Sequence, residues 1–439
     1  DDLPDLGEPG TIVSEQDLQD RKIVTFANGV KAYLMPRSSE DASIQVLVRF
    51  GQGYRGFSPD KPNLLWSVDF GLVAAGVGDL GIGEIEQLAI GRKINMGFGI
   101  DYDAFEMSGE TRSSDLDAEL RLLAGKLVAP RWDMAPLERG KRSFLSSYDV
   151  TNISPDAVLA REVQGLMSTG DTRFVAPTPA DVEKLTGKRF RKFWEPILKQ
   201  GPVEVMLVGD FDMAEGVETL RKTFGAMPKR KAAPVASGGA DVAFAAGGAE
   251  PVTRYHDGPS NQAAALIAWE GGAGRGDYRE ERVSEILGQI FSDRLIEEFR
   301  GTDGASYSPQ AYNFWPENMD SGGYFMAYSL VEPESVPLFY QRAKQIAEDL
   351  AANPVSADEL ARAVEPQQQW VLRYSTANSF WVSQYEGATR DLAARDEALI
   401  SLIDDYATIT PEEVQAVAQK YLGDEAAWRF QVLPRPAVQ

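Results

Sequence analysis

The chain has 439 residues, 43% of them apolar and 25% charged, with 66 acidic side chains against 44 basic ones, no cysteine and a single histidine, His256. This size suits two or more domains of an ordinary globular protein, and a net charge of -22 argues against nucleic acid, which needs a basic face. Thiolate chemistry is excluded, no apolar run is long enough to span a bilayer, and one imidazole cannot replace the two or three that a catalytic zinc normally takes.

Asp1-Asp2-Leu3-Pro4-Asp5 has no signal-peptide pattern and reads as a trimmed or linker-derived start. Together with the missing cysteines it points to the periplasm. Residues 1–22 form an N-terminal extension in this reading, and 23–228 a first domain. That domain opens with strand-like segments at Val30–Met35 and Ile44–Phe50. A helix-like apolar run, Leu64–Ala75, comes next. Gly76-Val77-Gly78-Asp79-Leu80-Gly81 then spells G-x-G-x-x-G, but a dinucleotide fingerprint needs a strand before it and a helix directly after. A loop is the better reading, and a nucleotide-binding enzyme remains a rival on this motif alone. After a pair of strands, Leu116, Leu120, Leu123 and Leu127 mark an amphipathic helix, with a corner at Pro130. Thr178-Pro179 has the form of a helix cap with Pro at the first helical position, and Val203–Val208 is a closing strand.

From Pro228 to Glu250 the composition turns to Ala, Gly, Ser and Pro after a Lys229-Arg230-Lys231 run, which predicts a linker over 229–250. Residues 251–439 then repeat the first domain's order. Strands are expected at Val252–Tyr255 and Ala263–Trp269. A helical stripe follows at Phe339, Ala343, Ile346 and Leu350, with a corner at Pro354, a Thr410-Pro411 cap and a closing strand at Trp428–Leu433. The predicted fold class is therefore α+β: two duplicated domains related by a pseudo-twofold, each a mostly antiparallel sheet with helices on one face.

Within the second domain, His256 between Tyr255 and Asp257 reads as a surface or hydrogen-bonded residue, and Gly271-Gly272-Ala273-Gly274 as a loop ending a strand. The aromatics from Tyr312 to Trp315 suit either core or the wall of a peptide cavity. Val283, Ile286, Leu287, Ile290, Phe291, Leu295 and Phe299 share one helical face. That helix runs into Arg300, and a turn at Gly304 leads to Tyr307. A guanidinium and a phenol that converge suit a developing oxyanion, because both donate hydrogen bonds and neither need change its protonation state. On their own, an Arg ending a helix and a Tyr entering a strand are ordinary, and the structural explanation is preferred.

The surrounding residues change that balance. Ser292-Asp293-Arg294-Leu295-Ile296-Glu297-Glu298-Phe299-Arg300 followed by Gly304-Ala305-Ser306-Tyr307-Ser308 resembles a hallmark segment of the pitrilysin/insulinase zinc peptidases. Asn28-Gly29-Val30-Lys31, Tyr33-Leu34-Met35-Pro36 and Val46-Leu47-Val48-Arg49-Phe50-Gly51 are similar to that family's opening strand pair. The family's catalytic copies then carry an inverted His-x-x-Glu-His motif, where this chain has Leu64–Leu72 and no histidine. Gly301-Thr302-Asp303 also departs from the family's usual basic run.

The resemblance implies the non-zinc half of such a peptidase, inactive alone, with no metal or other cofactor of its own. Zinc is expected in a partner half or subunit bearing His-x-x-Glu-His, forming a heterodimer or one longer polypeptide. Arg300 and Tyr307 would position the peptide substrate and stabilise the oxyanion. The alternative is a non-enzymatic scaffold or interaction protein of the same fold.

Overall fold

A computed structural model of the chain describes residues 3–299 and 309–436. Its seven-stranded sheet consists of β1 (Ile12–Leu18), β2 (Arg21–Phe26), β3 (Lys31–Pro36), β4 (Ile44–Phe50), β5 (Gly97–Ile100), β6 (Phe105–Thr111) and β7 (Val203–Gly209), in the order β1-β2-β3-β7-β4-β6-β5. Its five-stranded sheet consists of β8 (Val252–His256), β9 (Ala263–Glu270), β10 (Gln310–Phe314), β11 (Tyr324–Val331) and β12 (Trp428–Pro434), in the order β10-β11-β9-β12-β8.

The duplication read from the sequence is explicit in these orders. Substituting β8 to β12 for β3 to β7 turns β3-β7-β4-β6-β5 into β8-β12-β9-β11-β10, the second sheet read from its other end. Each copy has one parallel pair, β3 with β7 and β12 with β8, and its other pairs are antiparallel. The parallel pair arises because the last strand returns from a long helical excursion, the kind of crossover parallel neighbours need.

Two compact units divide the chain as 1–143, 180–239 and 372–399 on one side, and 144–179, 240–371 and 400–439 on the other. The division thus runs through the two sequence repeats rather than only between them. In the first unit, Phe105 packs at 5.8 Å and Phe98 at 6.1 Å from Trp194 of helix Gly187–Lys199, covering one face of the seven-stranded sheet. The other face carries Tyr33, Met35, Leu47, Met206 and Val208, which pack on Tyr385 and Ala388. In the second unit, helix Pro155–Met167 sets Val158, Leu159 and Val163 against Leu266, Met326 and Phe430. Helix Tyr278–Phe299 covers the opposite face, its Phe291 lying 6.0 Å from Trp269 and 5.4 Å from Phe325.

The expected helical layer is present on each sheet, and the second face is covered as well. This explains why all seven residues of β7 and the first seven of β9 are buried, with no polar-outward alternation.

Two expected elements take another form. Residues 12–18, read as part of an extension, form edge strand β1 paired with β2, and Leu3 is buried against Val77, Leu80 and Leu122. The apolar run at 64–75 contains only the 3-10 turn Leu65–Ser67 and the four-residue helix Val68–Gly71. Its side chains serve local packing instead: Ser67 accepts the buried Trp194 indole N–H at 3.1 Å, and Trp66 meets Phe70 edge to face.

Glu119, on helix Leu116–Val128, is fully buried. Its Oε2 accepts the Asn95 N–H at 3.0 Å while Oε1 has no partner among the described residues. Burial pushes its pKa up to about 8, against the opposing pull of the Asn95 amide. The folded state therefore keeps a proton that the unfolded chain releases near 4.5, and this residue removes stability as pH rises from about 4.5 through about 8. Glu119→Gln should erase that slope: its melting temperature relative to the parent rises from pH 5 to pH 8. A constant difference across that range would contradict the assignment.

Candidate functional site

Arg300 and Tyr307 lie outside the described residues; the elements that lead to and from them are described. Helix Tyr278–Phe299 forms because its apolar positions recur at helical spacing and Glu280 and Glu281 sit in its first turn, where negative charge complements the helix dipole. The whole predicted stripe, from Val283 to Phe299, is buried. Its last turns are clamped from outside: Arg294 pairs with Asp349 at 2.6 Å and Glu359 at 2.7 Å. Phe299 stacks on Phe339 at 6.4 Å.

On the return, β10 is an edge strand held to the same helix. The Ser292 hydroxyl accepts the Ala311 N–H at 2.6 Å and donates to the Ala311 carbonyl at 2.9 Å. Gly288 permits this approach, since a Cβ there would stand 3.1 Å from the Tyr312 Cα. The described elements on either side of Arg300 and Tyr307, the helix Tyr278–Phe299 and the strand Gln310–Phe314, are thus held to each other.

The aromatic group near β10 is divided between the two readings. Tyr312, 40% exposed, lies 6.2 Å from Tyr324 and 6.5 Å from Tyr328, and Phe314 stacks on Tyr324 at 5.0 Å. Trp315 turns away and donates its indole N–H to the Gly274 carbonyl at 2.8 Å. Trp315 therefore packs on the Gly-rich loop, while Tyr312 leaves an aromatic surface beside the edge strand.

Neither of the other sequence candidates has catalytic geometry. His256 is fully buried, its Nδ1 accepting the Gly258 N–H at 3.1 Å. Nε2 then carries the proton and donates to the Gln262 carbonyl at 2.7 Å. Both ring nitrogens are occupied, which suits a structural role and leaves no lone pair for a metal. The Gly76–Gly81 loop is preceded by no strand; Val77 bridges Leu80 and Pro130, and Arg131 holds the Asp79 carbonyl at 2.8 Å. A dinucleotide fingerprint lacks its strand here.

A cluster that sequence inspection missed lies on the seven-stranded sheet. Asp101, Glu106 and Glu386 bring carboxylate oxygens close enough to share a cation. The positive charge among them is Arg49, which pairs with Asp101 at 2.7 Å, Asp103 at 2.6 Å and Glu106 at 2.8 Å. Burial, then the neighbouring Glu106, pushes Glu386 up to about 9, and burial raises Asp101 to about 6. These side chains come from residues 49, 101–106 and 386, and no local motif links positions so far apart. With one engaged histidine, no cysteine and a carboxylate group already served by a guanidinium, the described residues do not fit a catalytic zinc.

Comparison with known proteins bears on the fold and on the segment around Arg300. Residues 184–366, which include Arg300 and Tyr307, match the family described as peptidase M16 inactive domain. The chloroplastic stromal processing peptidase of Pisum sativum is 24% identical over 196 residues, 43% of this chain and 15% of that one. A peptidase M16 inactive domain from Pseudomonas fluorescens has the same fold, with a TM-score of 0.75 at 19% identity over 97% of this chain and 99% of that one. The periplasmic protease PqqL from Escherichia coli gives a TM-score of 0.80 at 14% identity, over 98% of this chain but 48% of its own. The chain therefore spans about half of the PqqL chain and a far smaller share of the pea peptidase.

Proposed function

Because its residues 184–366 match the inactive domain of the M16 peptidases and its fold throughout is that of M16-like peptidases, consistent with the non-zinc half of the pitrilysin family, we propose that this chain binds and positions peptide for a zinc-bearing partner half. The observation that carries this reading is the position of the match: it contains Arg300 and Tyr307. The only histidine, meanwhile, is buried with both nitrogens engaged.

In the assembled peptidase, zinc bound by the partner's His-x-x-Glu-His motif supplies an activated water. This chain's part is to hold the scissile carbonyl. In this proposal the role of Arg300 rests on the planar fork of N–H donors that a guanidinium carries, and that of Tyr307 on its single hydroxyl, both serving as donors to the oxygen that gains charge during attack. The helix that ends at Phe299 and the strand that begins at Gln310 supply rigid anchors for that pair, and the exposed Tyr312 offers an apolar surface to neighbouring peptide side chains. Peptide and a zinc-bearing half, as heterodimer partner or as part of one longer polypeptide, are the two partners. Among the described residues no helix is long and apolar enough to cross a membrane. The lack of cysteine and the periplasmic designation of PqqL favour the periplasm.

The test is reconstitution. Mixing the chain with a zinc-bearing M16 half from the same source should give a complex on size exclusion and peptide hydrolysis that neither component shows alone. A stable complex with no gain in hydrolysis would favour the scaffold alternative. Failure to associate with any such half would reject the pairing.

A further inference from the structure

The first unit carries a basic, partly apolar groove that plays no part in the reading above. Helix Gly187–Lys199 borders two cavities of about 230 and 620 Å³, and the stretch after Met227 borders both of these and a third of about 400 Å³. Lys192, Pro196 and Gln200 line both the first and the second, while Lys229, Arg230 and Lys231 line both the second and the third. Neighbouring cavities thus share lining residues, and together they offer more room than a compact small molecule needs.

The chemistry of the groove's walls changes along its length. At one end Phe57, Phe105, Phe193 and Ile197 form an apolar compartment. The middle is cationic, with Lys192, Lys199, Lys229, Arg230 and Lys231 against one acid, Glu195. That acid is already taken up by Arg191 and Lys199. No carboxylate among the described residues pairs with Lys192, Lys229 or Lys231, and all three are exposed. In a chain with 66 acidic and 44 basic residues, such a concentration of unpaired ammonium groups runs against the overall charge.

The groove is built rather than incidental. Arg230 is drawn inward and donates to the Gly201 carbonyl at 2.9 Å and to the carbonyls of Leu198 and Gln200. The Gly201 N–H in turn donates to the Lys231 carbonyl at 2.8 Å. These bonds hold residues 229–231 against the end of the helix, with the ammonium groups of Lys229 and Lys231 left at the surface.

We infer that this groove binds an extended acidic segment of a partner polypeptide, with carboxylates along Lys192, Lys229 and Lys231 and one apolar side chain in the compartment beside Phe57 and Phe193. The charge selects the sign of the partner and steers its approach, and the apolar anchor adds affinity that charge alone does not. The groove lies wholly in the first unit, so this inference stands or falls independently of Arg300 and Tyr307.

The test uses the full chain and fluorescence anisotropy with a fluorescein-labelled peptide of Asp and Glu residues containing one Phe. It should bind, with affinity falling as salt is raised. Reversal of three charges, Lys192→Glu with Lys229→Glu and Lys231→Glu, should weaken binding at least about tenfold. Ala233→Phe, which extends a side chain into the apolar compartment, should weaken it several-fold without changing the melting temperature. Equal binding of the peptide by the charge-reversed chain would overturn the inference. So would equal affinity for an oligo-glutamate lacking Phe, or tighter binding of a single-stranded oligonucleotide of the same charge.

Discussion

Tyr307→Phe is expected to lower turnover of the assembled peptidase by at least about tenfold, the scale of losing one oxyanion donor. The substitution removes a single hydroxyl and keeps the ring, so the loss should appear in kcat more than in KM. This is the pattern of an interaction that strengthens only as charge develops. Arg300→Ala should cost at least as much. Arg300→Lys should recover little of it, because an ammonium on a flexible stem does not reproduce the planar fork. The melting temperature of the chain should stay within about 1 °C of the parent for Tyr307→Phe, because only one hydroxyl is removed and the ring is kept. Unchanged kcat in a fully assembled Tyr307→Phe enzyme would remove the phenol from the mechanism.

The largest stability effect is expected at Arg49. This guanidinium is 2% exposed and faces Asp101, Asp103, Glu106 and, at 3.5 Å, Glu386. Arg49→Ala would leave buried Asp103 with Arg390 as its remaining cation and the half-buried Asp101, Glu106 and Glu386 crowded together without theirs, a change that approaches the loss of about 3–5 kcal/mol seen when one partner of a buried pair is removed. The cost must depend on pH. Glu386 is held up to about 9 and so is protonated at neutral pH, whereas Asp103 is held below the usual carboxylate range; burial alone would raise it, but Arg49 and Arg390 outweigh that. Without Arg49 the group's carboxylates bind protons more tightly, so the variant regains stability relative to the parent as pH falls from 8 to 5. Urea midpoints at the two pH values check this. A difference below about 1 kcal/mol at pH 8, or one that grows toward pH 5, would contradict the assigned role.

The repeated core of the fold was legible because periodicity and turn chemistry are local signals. The buried stripe of helix Tyr278–Phe299 falls on the residues its spacing predicted. Thr410 and Glu413 form the capping box that starts the helix Pro411–Tyr421, as the Thr-Pro signature there suggested. What stayed hidden depends on which element covers which sheet. Nothing local in Pro155–Met167 says that Val158 and Val163 pack against Leu266 and Phe430, far along the chain. Nor does Tyr385-Glu386 announce that it closes over Tyr33 and Arg49. The run at 64–75 was apolar enough to suggest a longer helix, but those side chains are spent on a short turn around Ser67 and Trp194. For the site, the resemblance at 292–308 supplied Arg300 and Tyr307, whereas the Arg49 group and the lysine-lined groove follow only from tertiary placement.

The most direct measurement is peptide hydrolysis and zinc content of the purified chain by itself. With a single engaged imidazole and no thiol, the account predicts no turnover of any peptide and less than stoichiometric zinc after dialysis, with hydrolysis appearing only when a His-x-x-Glu-His half is added. Zinc-dependent turnover by the isolated chain would contradict it.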